Sequence, residues 1–176
     1  MTSLLYRLLP LLAAVLLSAC AAVRTAPAPD WQAEARWGLL PVANHSDTPL
    51  AGLAAESIVH ALLQADGPRS VLRYPPELNG DALFEAADRK TEQTALAWAK
   101  QAGVRYAVTG AVSEWRYKVG VDGEPAVGIS LSIIDVESGQ TVWSGVAADT
   151  GWSRSSLTVT AQDAIAKLLR SAKLPR

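Results

Sequence analysis

The stretch EWRYKVGVDGEPAVGISL, residues 114–131, has the pattern of a β-hairpin with a polar, glycine-rich tip. Its first part is aromatic and strand-like, and an apolar strand resumes after Pro125. Asp122-Gly123 is a dipeptide favoured in two-residue hairpin turns. Glu124 places a second carboxylate beside Asp122, which a turn alone does not require. The stretch therefore predicts an antiparallel strand pair and raises the question of what the acidic tip contacts.

Short apolar runs on both sides of the hairpin predict the remaining elements. We expect strands over residues 36–43, 71–74, 104–117, 126–136 and 141–148, and helices over residues 51–66, 88–102 and 155–170. The last three strands have short connections, so they should form an antiparallel meander. The order β-α-β-α-β-β-β-α predicts an α/β fold of the α+β type, with helices packed on a mixed sheet.

The first helix has recognisable start and core-facing signals. Thr48 is the predicted N-cap, with Pro49 at the first helical position. The predicted core face consists of the apolar positions Ala54, Ile58, Ala61, Leu62 and Ala65.

Length and composition set the broad class of protein. The chain has 176 residues, which predicts one domain, and its 49% hydrophobic and 19% charged content fits a folded globule. A formal net charge of -1 leaves no basic surface of the kind that nucleic-acid-binding proteins carry. We therefore expect no nucleic acid partner.

The N-terminus has the pattern of a lipoprotein signal peptide over residues 1–19. Arg7 precedes an apolar run over residues 8–17, which is too short to span a bilayer. Leu17-Ser18-Ala19-Cys20 resembles the bacterial lipobox, and Cys20 is the only cysteine in the chain. We expect a covalent lipid on Cys20, with several acyl chains giving stable anchoring. An ordinary signal peptide with a chance cysteine is the alternative.

The predicted organisation after the signal peptide is Cys20 with a tether over residues 20–35, then a single periplasmic domain over residues 36–176. Prolines and small residues favour a flexible tether, and an ordered arm is the alternative. The residue after the cysteine is alanine rather than the aspartate of inner-membrane retention. This predicts an outer-membrane anchor with the domain facing the periplasm.

The residues provide little for catalysis. The only histidines are His45 and His60, fifteen positions apart, and the cysteine is assigned to lipid, so we expect no metal site. The chain lacks both a nucleophile elbow and a phosphate-binding glycine loop. Asp122 and Glu124 on an exposed tip are a poor glycosidase pair, because such pairs lie in clefts. We predict no enzymatic activity and no cofactor.

Three segments resemble the domain shared by CsgG-type secretion lipoproteins and the TolB N-terminal domain. They are WGLLPVANHS (37–46), AWAKQAGVRYAVTGAVSEW (97–115) and ISLSIIDVESGQTVWS (129–144). The matching residues are Leu40, Pro41, Asn44, Ser46, Gly103, Tyr106, Thr109, Gly110, Asp135, Ser138, Gly139 and Trp143. This resemblance covers nearly all of residues 36–170 and implies the fold more than the function.

The hairpin stretch and GWSRSSL (151–157), together with the lipobox and the length, resemble the PelC family of outer-membrane lipoproteins. The resemblance implies a homo-oligomeric ring beneath the outer membrane that takes part in export of the Pel exopolysaccharide of biofilms. It also implies a PelB-like β-barrel and TPR exporter as partner, and a cationic amino-sugar polymer in transit.

Within such a ring, Asp122 and then Glu124 are the candidates for an electronegative polymer passage, because a cleft lined by one sign of charge concentrates the opposite sign. A plain solvated turn is the alternative, and Lys118 nearby weakens a purely acidic interpretation.

Aromatic residues supply the other candidates. Trp152, with Arg154, is predicted to contact the membrane or a partner, since tryptophan suits such interfaces. Core packing of Trp152 is the alternative. Trp115 and Tyr117 share one strand face and, with Lys118, are candidate contacts for sugar or for a neighbouring subunit; a buried face is the alternative for the two aromatic rings.

Two other functions remain open on the sequence. The main alternative is a monomeric lipoprotein that binds and activates a periplasmic enzyme, as LpoB-like activators do. A CsgG-like pore would need long amphipathic strands for a transmembrane barrel, and the chain has none to spare.

Overall fold

The computed structural model describes residues 22–78, 88–120, 123–152 and 155–176. The predicted lipidation site Cys20 and the candidates Asp122 and Arg154 lie outside these residues.

Six strands form one mixed sheet. They are β1 (Ala22–Thr25), β2 (Trp37–Asn44), β3 (Val71–Arg73), β4 (Tyr106–Tyr117), β5 (Pro125–Asp135) and β6 (Gln140–Thr150). Their order across the sheet is β1-β6-β5-β4-β2-β3. The strands β4, β5 and β6 form the expected antiparallel meander, whereas β2 pairs in parallel with both β3 and β4. The predicted mixed sheet is confirmed.

Helices cover both faces of this sheet. They are α1 (Ala51–Asp66), α2 (Asp88–Gln101) and α3 (Leu157–Ser171), and a short 3-10 turn spans Pro76–Leu78. The helices α1 and α3 pack with Leu39 and Val108 on one face, whereas α2 packs with Leu40 and Ala107 on the other. Neighbouring strand residues thus belong to opposite cores, as the two-residue period of a strand requires.

The core-facing side of α1 differs from the predicted one. Its buried residues are Ala51, Gly52, Ala55, Glu56, Val59 and Leu63. Of the predicted positions, Ile58 and Leu62 are partly buried against the core, whereas Ala54, Ala61 and Ala65 are exposed. Both sides of the helix are apolar, and periodicity alone does not choose between them. Gly52 decides the rotation, because a Cβ there would lie 2.3 Å from the Val42 carbonyl oxygen. Only glycine lets the helix start approach β2 this closely.

Thr48 is not the N-cap of α1. The capping residue is Leu50, whose backbone is left-handed at φ 62 and which makes no side-chain capping bond. The Thr48 hydroxyl instead donates a hydrogen bond to the Trp115 carbonyl oxygen on β4. The threonine therefore fastens the loop to the sheet.

The N-terminal segment after Cys20 is an ordered arm rather than a tether. Residues Ala22–Thr25 form the edge strand β1, which pairs antiparallel with β6. Further along, the Trp31 indole contacts Trp37 and Tyr106 edge-on, and its Nε1–H donates to the Ala172 carbonyl oxygen at 2.8 Å. The tether prediction is wrong here because an unpaired β6 edge and an aromatic cluster offer binding surfaces that composition does not reveal.

Three other tryptophans belong to the two cores. Trp37 and Trp143 are fully buried. Trp98 on α2 is half-buried and contacts the Tyr74 ring edge-on, with the centroids 5.4 Å apart.

Candidate functional site

The hairpin tip joins β4 to β5 at one end of the sheet. The Lys118 N–H donates to the Glu124 carbonyl oxygen at 2.7 Å, which closes the tip at its base. Gly123 has φ +55, a left-handed conformation that favours glycine. Lys118, Val119 and Glu124 are exposed. The hairpin prediction is confirmed, but the connection is longer than a two-residue turn.

Hydrogen bonds hold the hairpin tip against the end of β6 and the start of α3. The Gly151 N–H donates to the Pro125 carbonyl oxygen at 3.0 Å, and the Leu157 N–H donates to the Tyr117 hydroxyl at 3.1 Å. Glu124 directly precedes Pro125, and Trp152 directly follows Gly151. The structure thus brings the acidic tip and the candidate contact residue Trp152 to the same end of the molecule.

Trp152 is the most exposed tryptophan among the described residues. Its exposed fraction is 73%, so the alternative that its indole packs in the core does not hold. Other exposed apolar side chains at this end are Tyr117, Val119 and Val159. Large apolar groups left in water often mark a contact surface.

The candidate Trp115 is placed differently from its neighbours. It is only 8% exposed and belongs to the core beneath α1 and α3, so its ring is not available for stacking on a sugar. Tyr117, two residues later, is 51% exposed because it lies past the point where the core covers the strand. Of the three candidate sugar or subunit contacts, Tyr117 and Lys118 therefore remain accessible.

An open groove of about 220 Å³ lies beside the hairpin tip, between β6 and α3. We call it the β6–α3 groove; its walls include Asp149, Trp152, Ser155, Thr160, Asp163 and Lys167. Sequence reasoning missed it, because its two walls are far apart in the chain. The only signal was the spacing of Asp163 and Lys167, which places them on one side of a helix.

The charges in the groove are unequally paired. Lys167 Nζ lies 2.6 Å from Asp149 Oδ2, and the Asp149 side chain is only 11% exposed. Asp163 is exposed, and within the described part of the chain it has neither a hydrogen bond nor an ion pair. Among its described wall residues, the β6–α3 groove therefore contains one paired carboxylate, Asp149, and one unpaired carboxylate, Asp163.

Charged pairs elsewhere are structural. Arg73 pairs at 2.9 Å with the buried Glu56, and Arg105 bonds both Asp135 and Glu137 beside the β5–β6 turn. Burial raises the pKa of the Tyr74 hydroxyl.

Within residues 22–78, 88–120, 123–152 and 155–176, histidine, cysteine and carboxylate side chains form no group of three that could hold a metal ion. None of the helices there has the length and apolar character needed to cross a bilayer.

Neither a protein-family model nor a curated protein sequence matches the chain. Among solved structures, a PelC dodecamer from Paraburkholderia phytofirmans is 38% identical, with a TM-score of 0.73 over 89% of this chain and 99% of that chain. A second crystal form of that dodecamer, carrying one substitution, is also 38% identical, with a TM-score of 0.71 over 86% of this chain and 98% of that chain. Lipoprotein GNA1162 from Neisseria meningitidis shares the fold, with 17% identity and a TM-score of 0.56 over 76% of this chain and 96% of that chain.

Proposed function

The chain belongs to the PelC family, and from this premise we propose that it is a non-catalytic outer-membrane lipoprotein that assists export of the cationic exopolysaccharide Pel. The observation that carries the proposal is the 38% identity over 99% of a PelC chain. A likeness of this extent includes the hairpin tip and the start of α3 as well as the core. It therefore bears on function, whereas the more distant lipoprotein bears on the fold alone.

The proposed working form is a closed ring. The similar PelC chain forms a dodecamer, and rings arise when the contact between neighbouring copies closes by rotation. A ring of that size would carry twelve copies each of Asp122 and Glu124. Repetition matters here, because one exposed carboxylate is screened by salt within about 8–10 Å, whereas a lined passage focuses the potential. A cationic polymer would be concentrated there without being held tightly.

The position of β1 supports an orientation for this ring. Ala22 pairs with Ala148, four residues before Trp152, so the arm begins at the end of the fold that carries the hairpin tip. Only one residue separates Cys20 from Ala22, so a lipid on Cys20 would hold this end at the outer membrane. Trp152 and Arg154 would then contact the membrane or a partner there. A PelB-like exporter would receive the polymer from the same end.

Charge reversal at the tip tests the passage. Asp122→Lys, alone and combined with Glu124→Lys, should reduce secretion of the polymer several-fold in a strain that carries the variant as its only copy. Glu124 is exposed and makes no side-chain bond within the described residues, so its replacement should leave the protomer folded. Light scattering on the same variants checks that the ring persists. Asp66→Lys at the far end of α1 is the matched control and should secrete normally. Normal secretion by the double variant, with an intact ring, would overturn the acidic passage.

A further inference from the structure

A second groove lies at the end of the fold opposite the hairpin tip, where α1 and α3 end. We call it the α1–α3 groove; its cavity has a volume of about 180 Å³. Its described walls come from two stretches, residues 62–67 and 166–176, and the chain is described without a gap through both. We propose that this groove binds an acidic amphipathic helix of a periplasmic partner protein. The inference rests on the orientation given above for the proposed export function, and it adds a docking site at the end that faces away from the membrane.

The floor of the α1–α3 groove is apolar and held in place. Leu62 on α1, Leu169 on α3 and Leu174 just after α3 line it, and each of these leucines is half-buried. Their inner sides pack against the core beneath the two helices. Both helices begin at the hairpin end and finish at the groove, so they run side by side in one direction. Two helices arranged in this way leave a channel in which the apolar face of a third helix can pack.

The rim of the groove is basic. Arg170, Lys173 and Arg176 are exposed there, whereas Asp66 is the carboxylate among the described wall residues. None of these four side chains forms an ion pair or a hydrogen bond with another described residue. The C-terminal ends of the two helices add a partial negative charge of about half a unit each, which is smaller than the excess of cationic side chains. The rim therefore favours a partner that carries carboxylates.

Lys173 occupies a backbone position that favours glycine. Its φ is 49, and its N–H donates to the Arg170 carbonyl oxygen at 3.2 Å, which is the usual geometry one residue past the end of a helix. Glycine adopts this left-handed conformation without strain, whereas lysine does not. Strained residues concentrate where the side chain has a role. Here the lysine keeps an ammonium group at the rim, next to the Leu174 floor.

Position excludes the membrane as the occupant. The Leu157 N–H at the start of α3 is bonded to Tyr117 beside the hairpin tip, and Arg170 lies thirteen residues further along the same helix. At 1.5 Å per residue this distance is about 20 Å. A bilayer held at the hairpin end by the N-terminal arm therefore does not reach the α1–α3 groove.

Charge and size exclude two other occupants. The basic rim repels a cationic polymer, so the groove is not part of its passage. The cavity is also smaller than the about 300–1,000 Å³ of small-molecule sites, so it suits one or two side chains that project from a protein. A helix with apolar residues at positions i, i+4 and i+7 and carboxylates on either side meets both conditions. Its apolar side chains would lie on the leucine floor, and its carboxylates would contact Arg170 and Lys173.

Photo-crosslinking in cells that express the full lipidated chain tests the groove. The probe is p-benzoylphenylalanine, placed at the exposed Asp66 in one variant and at the half-buried Leu174 in a second. The crosslinked product is digested, and the attached peptide is sequenced by mass spectrometry. We expect both probes to attach to one segment of another protein, with apolar residues at helical spacing and with aspartate or glutamate beside them.

Charge reversal at the rim supplies the second measurement. Arg170→Glu combined with Lys173→Glu should lower the crosslinking yield at least fivefold, because two attractive pairs become repulsive. The same reversal should weaken binding of a synthetic peptide with the sequenced segment by at least fivefold in fluorescence anisotropy. Arg24→Glu combined with Lys100→Glu makes the same change of charge at exposed positions on β1 and α2. It is the matched control and should change neither quantity.

Three results would overturn the docking site. The first is attachment of both probes to another copy of this chain, which would identify the groove as a contact between protomers. The second is attachment to a segment without acidic residues, or to no protein at either position. The third is an unchanged yield after the double charge reversal. The proposed export function would survive all three, since it is tested by secretion and by the ring; loss of the ring would defeat that function whatever the α1–α3 groove binds.

Discussion

Removing the Trp31 indole should destabilise the fold, because this side chain fastens the N-terminal arm. Its ring centroid lies 5.1 Å from both Trp37 and Tyr106, at interplanar angles of 68° and 77°. Each such edge contact contributes about 0.5–1.5 kcal/mol. The hydrogen bond from Nε1 to the Ala172 carbonyl oxygen adds about 0.5–1.5 kcal/mol. We expect Trp31→Ala to lower the free energy of unfolding by about 2–4 kcal/mol, and Trp31→Phe, which keeps a ring, by about 1 kcal/mol.

Urea denaturation followed by far-UV circular dichroism measures this effect. With a slope of about 2 kcal/mol per molar, Trp31→Ala should lower the midpoint by about 1–2 M. All proteins must be compared at one concentration, because assembly makes stability depend on concentration. Trp152→Ala is the matched control, since its 73% exposed indole should change the free energy by about 0.5 kcal/mol or less. Equal midpoints for the two alanine variants would refute the docked arm and restore the flexible tether.

Three further substitutions probe separate parts of the fold. Gly110→Ala should cost about 1–3 kcal/mol in urea denaturation, because its Cβ would lie 2.2 Å from the Ser130 carbonyl oxygen and would force β4 and β5 apart; an unchanged midpoint would contradict this packing. Tyr117→Phe removes the acceptor of the Leu157 N–H, so it should lower the free energy of unfolding by about 1 kcal/mol and speed amide exchange at Leu157. An unchanged exchange rate would show that the Tyr117 hydroxyl does not cap α3. Burial raises the pKa of Tyr74, so above about pH 10 the unfolded chain loses this proton more readily than the folded one. Stability should be complete below that pH and fall as the pH rises through the folded pKa, and Tyr74→Phe should reduce this alkaline loss; identical pH profiles would exclude the tyrosine as the cause.

Much of the sheet is predictable because its signals are local. The connections between β4, β5 and β6 are short, so an antiparallel meander is the arrangement that they favour. The glycine at position 139 indicates the last turn from the sequence, and the structure gives it φ +70. The arm over residues 22–31 is different. Its order comes from the unpaired edge of β6 and from the aromatic pair Trp37 and Tyr106, which are distant in the chain. Neither surface can be inferred from the prolines and alanines of the arm itself.

The candidate site also has some features that the local sequence predicts and others that depend on residues distant in the chain. The hairpin is readable from Asp122-Gly123, whereas the sequence places Trp152 in a polar loop and leaves open whether its indole is exposed. The burial of Trp115 is not readable, because it depends on α1 and α3 covering that part of β4. The β6–α3 groove exists only once Asp149 and Asp163 have been brought together by packing.

The mass of the protein in solution decides whether the protein works as a ring. We would measure it by light scattering across a concentration series, on residues 21–176, which lack the predicted signal peptide and the predicted lipidation site. We expect a closed oligomer with the mass of about twelve protomers, and we expect this mass to stay constant as concentration changes. A monomer at every concentration, and again after the lipidated protein is reconstituted in membranes, would contradict the ring. It would favour the LpoB-like activator instead, with Asp122 and Glu124 as ordinary turn residues.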